Sequence, residues 1–235
     1  MSGTLYLIPT TLGGDHWEEI IPTHVAEVTR SLRSFFVEDA RTARRYLSCL
    51  GMPVSIQELS FDILNEHSTQ SDVENLLGHL LSGKSVGLLS EAGVPAVADP
   101  GSLLISMAHN KGVKVVPLTG PSSIILALMA SGLNGQNFAF VGYLPVKPNE
   151  RDKRIRQLEL RSKEEKQTQL FIEAPYRNNQ LLKSLVSVLH PETNLHISCD
   201  LTLPTEFVLT QRVKVWKKQM PDLHKRPSIF GILRD

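Results

Sequence analysis

Short β-branched or aromatic runs alternate with amphipathic stretches along the whole chain. This alternation constrains the fold more than any other feature, because strand and helix in turn call for layered α/β packing. The runs at 5–9, 35–38, 54–59, 85–90 and 113–117 read as strands. The spacing predicts a helix over 72–81, where Val73, Leu76, Leu77, Leu80 and Leu81 fall at offsets 0, 3, 4, 7 and 8 on one face. Ser71 and Glu74 have capping-box spacing in front of it, and Gly83 fits its stop. Another helix holds Met107 and Ala108 and ends near Gly112.

Beyond Gly120 and Pro121 the alternation resumes. The stretch 124–129 reads as a buried helix, and 149–165 and 179–189 as longer ones. Strands are predicted at 138–143, 168–173, 195–200, 207–215 and 228–233. These late strands lie closer together, which suits antiparallel pairing. The expected fold is α/β with two lobes, 1–117 and 118–235. The first has a parallel-rich sheet, the second a mixed and more antiparallel one, with a cleft between them.

Charge sharpens this division. The chain of 235 residues carries a formal net charge of +1. Residues 1–117 are net −5 and residues 118–235 net +6. Such a split suits two lobes with different partners. Only Cys49 and Cys199 occur, with no CxxC pair, so no disulfide framework is expected. No basic segment followed by an apolar run opens the chain, and no stretch nears the roughly 18 apolar residues of a membrane span. The expected location is the cytoplasm.

One formal motif fails on context. Gly78 to Ser85 fits G-x-x-x-x-G-K-[ST], but a helix precedes it and a strand follows, the reverse of a phosphate-binding loop. The histidines are scattered and no metal-spaced Cys/His cluster appears, so no metal is expected. The loops at strand ends are more informative. Residues 8–15 follow the first strand, 90–101 the fourth, and 117–123 the fifth. Open α/β sheets bind ligands outside the carboxyl ends of their strands. Gly and Pro at those ends either form tight turns or let backbone approach a ligand closely.

In order and spacing these segments resemble the tetrapyrrole methylase superfamily of S-adenosylmethionine-dependent methyltransferases. The branch most resembled is that of ribosomal small-subunit RNA (cytidine-2′-O)-methyltransferases. The resemblance rests on LYLIPTTLGGD at 5–15, VEDARTARRYLSCLGM at 37–52, LNEHS at 64–68, LLSEAGVPAVADPG at 88–101, PLTGPSSIILALMASGL at 117–133, FVGYLPVKPNER at 140–151 and FIEAPYR at 171–177. It implies S-adenosylmethionine as cofactor, bound between two α/β lobes, usually in a homodimer. By motif, the donor site falls to Pro9, to Gly93, Val94, Pro95, Val97 and Ala98, and to Ser122 and Ser123. Ile172 and Glu173 line a far wall, and segments near Leu201 and Gly231 close over the adenine. The branch has Leu-Thr-Lys where this chain has Leu201, Thr202 and Leu203, so one cation is lost.

The resemblance implies RNA of the small ribosomal subunit as substrate. A ribose hydroxyl acceptor benefits from a base or a positive neighbour. The candidates are Glu38, Asp39, Arg41, Asn65, Glu66 and Lys147. Asp39 equally fits a helix N-cap. Lys147, Arg151, Lys153, Arg154, Arg156 and Arg161 suit RNA phosphates or an exposed helix laced with ion pairs. Two other readings stand beside this one: methylation of a tetrapyrrole or other small molecule, and a non-catalytic module that binds S-adenosylmethionine.

Overall fold

The computed structural model describes residues 2–234. It divides into two compact units, Met1–Ser122 and Ser123–Asp235.

The first unit is built on five parallel strands: β1 (Thr4–Ile8), β2 (Ser34–Val37), β3 (Ser60–Ile63), β4 (Val86–Leu89) and β5 (Lys114–Pro117). Their order is β3-β2-β4-β1-β5. Four helices connect them: α1 (Thr23–Ser31), α2 (Ala40–Leu50), α3 (Gln70–Leu81) and α4 (Ser102–Asn110). Alternate strand residues face opposite layers. Phe35, Val37 and Leu89 pack with Ala26 of α1 and Leu47 of α2, whereas Phe36 and Leu88 pack with Leu77 of α3 and Leu104 of α4. Burial on both faces explains why these strands read as continuous apolar runs.

The strand order places the site. After β1 the chain crosses to β2 on one side; after β4 it crosses to β5 on the other. The neighbours β1 and β4 thus flank a topological switch point, and their carboxyl ends open onto it.

The second unit has α5 (Ser123–Ser131), β6 (Phe138–Tyr143), α6 (Pro148–Glu165), β7 (Thr168–Ile172), α7 (Asn178–Val188), β8 (Asn194–Cys199), β9 (Phe207–Arg212), α8 (Val213–Trp216) and β10 (Ser228–Leu233). Its sheet runs β6-β7-β10-β8-β9, with β6 and β7 parallel and the other pairs antiparallel. Phe171 and Phe230 pack with α6 and α7 residues on one face. Leu170 and Ile229 pack with Ile124 and Leu128 of α5 on the other. The parallel first sheet and mixed second sheet are those expected. Among the described residues no helix is long and apolar enough to cross a membrane.

Four local expectations are corrected. Residues 54–59 form no strand. Ser55 and Glu58 instead close a capping box around a 3-10 turn at Ile56–Glu58, and pairing with β2 begins only at Ser60. The box before α3 is Thr69 with Asp72, not Ser71 with Glu74, which lie inside the helix. Strand β9 ends at Arg212, where the chain turns into α8 and buries Trp216, whose Nε1 donates to the Leu195 carbonyl at 2.9 Å. Helix α5 is buried on one face only, since Ile125 and Met129 are exposed.

Candidate active site

In the first unit three loops converge at the carboxyl ends of β1, β4 and β5. The Thr10 amide donates to the Gly93 carbonyl at 2.9 Å, and the Ser90 hydroxyl donates to the same carbonyl at 3.3 Å. The Tyr46 hydroxyl donates to the carbonyl of buried Pro9 at 3.2 Å. Gly93 holds φ +77°, a conformation that a side chain would strain, and a β-carbon there would lie 3.3 Å from the Pro121 carbonyl. A β-carbon on Gly120 would come within 2.2 Å of the Pro9 ring. Small residues are therefore required where the loops touch.

The β4 loop is also strained. Ala96 and Ala98 both hold φ +64°, a left-handed conformation uncommon for residues with a β-carbon. Such strain costs about 1–3 kcal/mol per residue and collects at functional sites. Pro95 is buried and Val94 half-buried, while Val97 and Ala98 are exposed. Ser122 ends this unit, and Ser123 opens α5 in the other.

The remaining donor candidates lie in the second unit. Ile172 ends β7 and packs beside Leu201 against the α5 face. Leu201 is flanked by Asp200 at φ 51° and Thr202 at φ 71°, a second pair of left-handed residues. Glu173 is buried. Its Oε1 accepts from the Ala174 amide at 2.7 Å and from Arg177 Nε at 2.9 Å, while Oε2 is buried with no hydrogen-bond partner. Gly231 lies inside β10, where a β-carbon would meet Leu170 at 3.0 Å.

Glu38 immediately follows β2 and is half-buried. Burial, followed by the charges of Asp99, Glu91, Glu66 and Asp39, pushes its carboxyl up to about 7. Asp99 is itself pushed up to about 6, by burial and then by Glu91. Asp39 has a structural role. Its Oδ1 caps α2, accepting from the Thr42 amide and hydroxyl at 2.7 Å each. Those bonds hold its carboxyl below the usual range. Arg41 is exposed on α2. Asn65 closes its own turn, accepting from the His67 amide at 2.9 Å, and Glu66 is exposed beside His67.

In the second unit Lys147 precedes α6, is exposed, and lies 3.3 Å from Glu150. The basic run that follows is not uniformly solvated. Arg151 is only 2% exposed and reaches inward to the Ser184 hydroxyl at 3.1 Å and the Val146 carbonyl at 3.3 Å. Lys153, Arg156 and Arg161 are exposed. Sequence reasoning passed over Asp99 and Glu91 as partners of Glu38. The available signal was their position, since both follow a strand end as Glu38 does. Among the described residues no group of three or more His, Cys, Asp or Glu is placed to hold a metal ion.

Residues 22–215 match the family model of tetrapyrrole (corrin/porphyrin) methylases. The chain belongs to the tetrapyrrole methylase family. It is therefore a methyltransferase. This tetrapyrrole methylase is 34% identical over 206 residues to the ribosomal RNA small subunit methyltransferase I of Vibrio cholerae, covering 87% of this chain and 67% of the relative. It is 31% identical over 234 residues to the enzyme of the same name from Xylella fastidiosa, covering 98% and 81%. Among solved structures it resembles the methyltransferase CobJ, with TM-score 0.66 and 17% identity over 99% of this chain and 95% of that one. It also resembles a Thermus thermophilus uroporphyrin-III C-methyltransferase complexed with S-adenosyl homocysteine, with TM-score 0.57 and 17% identity over 99% and 98%. At such identities the structural likeness speaks to the tetrapyrrole methylase fold.

Proposed function

We propose that this tetrapyrrole methylase transfers a methyl group from S-adenosylmethionine to a ribose 2′-hydroxyl of small-subunit ribosomal RNA. The observation that carries this reading is its likeness, along nearly the whole chain, to relatives named ribosomal RNA small subunit methyltransferase I. It acts in the cytoplasm as a homodimer, with its two lobes at 1–117 and 118–235.

The residues present suit the donor. Gly93 and Gly120 let the loops at the strand ends pack where β-carbons would press on Leu12, the Pro121 carbonyl and the Pro9 ring, which fixes the path of the backbone the donor would meet. Pro9, Val94, Pro95, Val97 and Ala98 supply largely apolar surface around them, with Ser122 and Ser123 as polar contacts. Ile172, Glu173, Leu201 and Gly231 are the donor candidates within the second unit. The orphaned Oε2 of Glu173 is an acceptor that an ammonium or amine would satisfy. When bound, the donor supplies an electrophilic methyl on a sulfonium with a good leaving group.

Glu38 is the base. A carboxyl held near pH 7 accepts a proton far better than an ordinary one while remaining ionised in a useful fraction. It takes the proton released from the acceptor hydroxyl on its carboxylate oxygen. Asp39 holds the start of α2, and Arg41 and Lys147 contact RNA phosphates. Glu66 adds to the field that raises Glu38. The test is transfer of labelled methyl from S-adenosylmethionine by the full chain. The acceptors are small ribosomal subunits that lack the modification and, separately, a porphyrinoid precursor. Label in the RNA is expected; label in the porphyrinoid alone, or in neither, would contradict the reading.

A further inference from the structure

A separate pocket of about 180 Å³ opens in the first unit between the loop after β1 and helix α2. Residues Thr42, Arg45, Tyr46 and Cys49 form its helical wall. They fall at offsets 0, 3, 4 and 7, one stripe of α2, distinct from the buried stripe of Ala43, Leu47 and Leu50. Residues Thr10 to Asp15 and Trp17 line the rest of it. Glu91 and Ala92 border it, so it adjoins the β4 loop without including Gly93.

Its size decides between occupants. Sites for a whole drug-sized ligand or cofactor take about 300–1,000 Å³. This pocket suits a fragment such as one nucleobase. Its chemistry suits the same fragment. Arg45 and Asp15 stand side by side at the pocket, 3.0 Å apart and both more than half exposed, presenting a donor next to an acceptor. Base edges carry the same adjacent pairing, with guanidinium meeting ring or carbonyl acceptors and carboxylate meeting amino groups. Trp17 and Tyr46 add aromatic surface of the kind on which unstacked bases rest. The lining itself sets Arg45 against Asp15 and Glu91, so the cations that would meet phosphate are those on the exposed surface of α2 outside the pocket. All five arginines of residues 1–117 fall between 30 and 45, in a unit otherwise net acidic. Arg41, Arg44 and Arg45 are exposed along α2.

We propose that this pocket receives one unstacked nucleotide of the RNA substrate, a neighbour of the nucleotide that is methylated. The assignment rests on the RNA reading above. Cys49 provides the test, because it is exposed in the pocket wall while Cys199 is fully buried. The full-length protein is treated with N-ethylmaleimide, and the adduct on Cys49 is followed by mass spectrometry. Small-subunit ribosomal RNA should slow alkylation at least fivefold, and S-adenosylmethionine alone should not. Alkylated protein should lose transfer to RNA while still binding the donor in a thermal-shift assay. In Cys49→Ser, treated and untreated protein should transfer equally. If the wild type methylates RNA but Cys49 reacts at an unchanged rate, the pocket assignment fails and the RNA reading stands. Protection by S-adenosylmethionine alone assigns the pocket to the donor and overturns the proposal. No transfer to RNA at all removes the RNA reading and this assignment with it.

Discussion

Glu38 shows how neighbours decide a side chain's chemistry. Half-buried beside four other carboxylates, it is held near neutrality. Glu38→Gln should lower the methyl-transfer rate about 100-fold or more, within the range for a general base, and leave donor affinity unchanged in calorimetry. In the wild type the rate should rise through about pH 7 as Glu38 ionises. The same shift bears on stability. A carboxyl whose folded pKa is raised stabilises fully below its unfolded pKa and loses that contribution as pH rises through the folded value. For Glu38 the loss runs from about 4.5 to about 7. Glu38→Gln should therefore raise Tm relative to wild type at about pH 8 and not at about pH 4, measured by thermal denaturation. A second residue-scale prediction concerns Gly120, whose added β-carbon would collide with the rigid Pro9 ring. Gly120→Ala should weaken donor binding at least tenfold while circular dichroism stays native. Much of this was legible in the sequence, since glycine and proline at strand ends mark close backbone approach. The shared field of Glu38, Asp99 and Glu91 was not. It depends on strand order, which brings the ends of β2 and β4 side by side across more than fifty residues of chain.

At the scale of elements, local hydrogen bonds decided where periodicity was ambiguous. Val54, Ile56 and Leu59 look like strand residues, but Ser55 and Glu58 bond to local backbone and fold the segment into a turn. Around α3 the apolar stripe set the helix, and the cap was chosen by geometry. The Thr69 hydroxyl accepts from the Asp72 amide at 3.2 Å, and Asp72 accepts from the Thr69 amide at 2.8 Å. Thr69→Ala should cost about 1 kcal/mol of stability, read from the urea midpoint at unchanged slope. Thr69→Ser should restore most of it. Helix α6 mattered differently from its charge pattern. Arg151 faces inward, where it ties the Val146 carbonyl to Ser184 of α7, so a basic run by composition contains a buried brace. Interleaved charges in sequence do not reveal which cation turns inward.

For the whole molecule, the charge split gains a second level. The acidic half, net −5, still gathers its five arginines into residues 30–45, and one of them, Arg45, lines the pocket on α2. The basic half, net +6, exposes Lys147, Lys153, Arg156 and Arg161 at and along α6. A near-neutral chain thus presents cations on each unit. Phosphate contacts release counterions, so KM for RNA should rise steeply between about 50 and 200 mM salt, whereas donor affinity should change little. The α/β class and both sheet types followed from alternation and strand spacing. The order of strands did not, because pairing partners are set by long-range packing that no local pattern encodes.

The most direct test of the central claim is mass-spectrometric mapping of ribose methylation in small-subunit RNA. RNA from cells lacking this protein is incubated with the purified chain and S-adenosylmethionine. The account predicts one 2′-O-methylated nucleotide gained with wild type and lost with Glu38→Gln. RNA unchanged by wild-type protein, or methylated equally by Glu38→Gln, would contradict it.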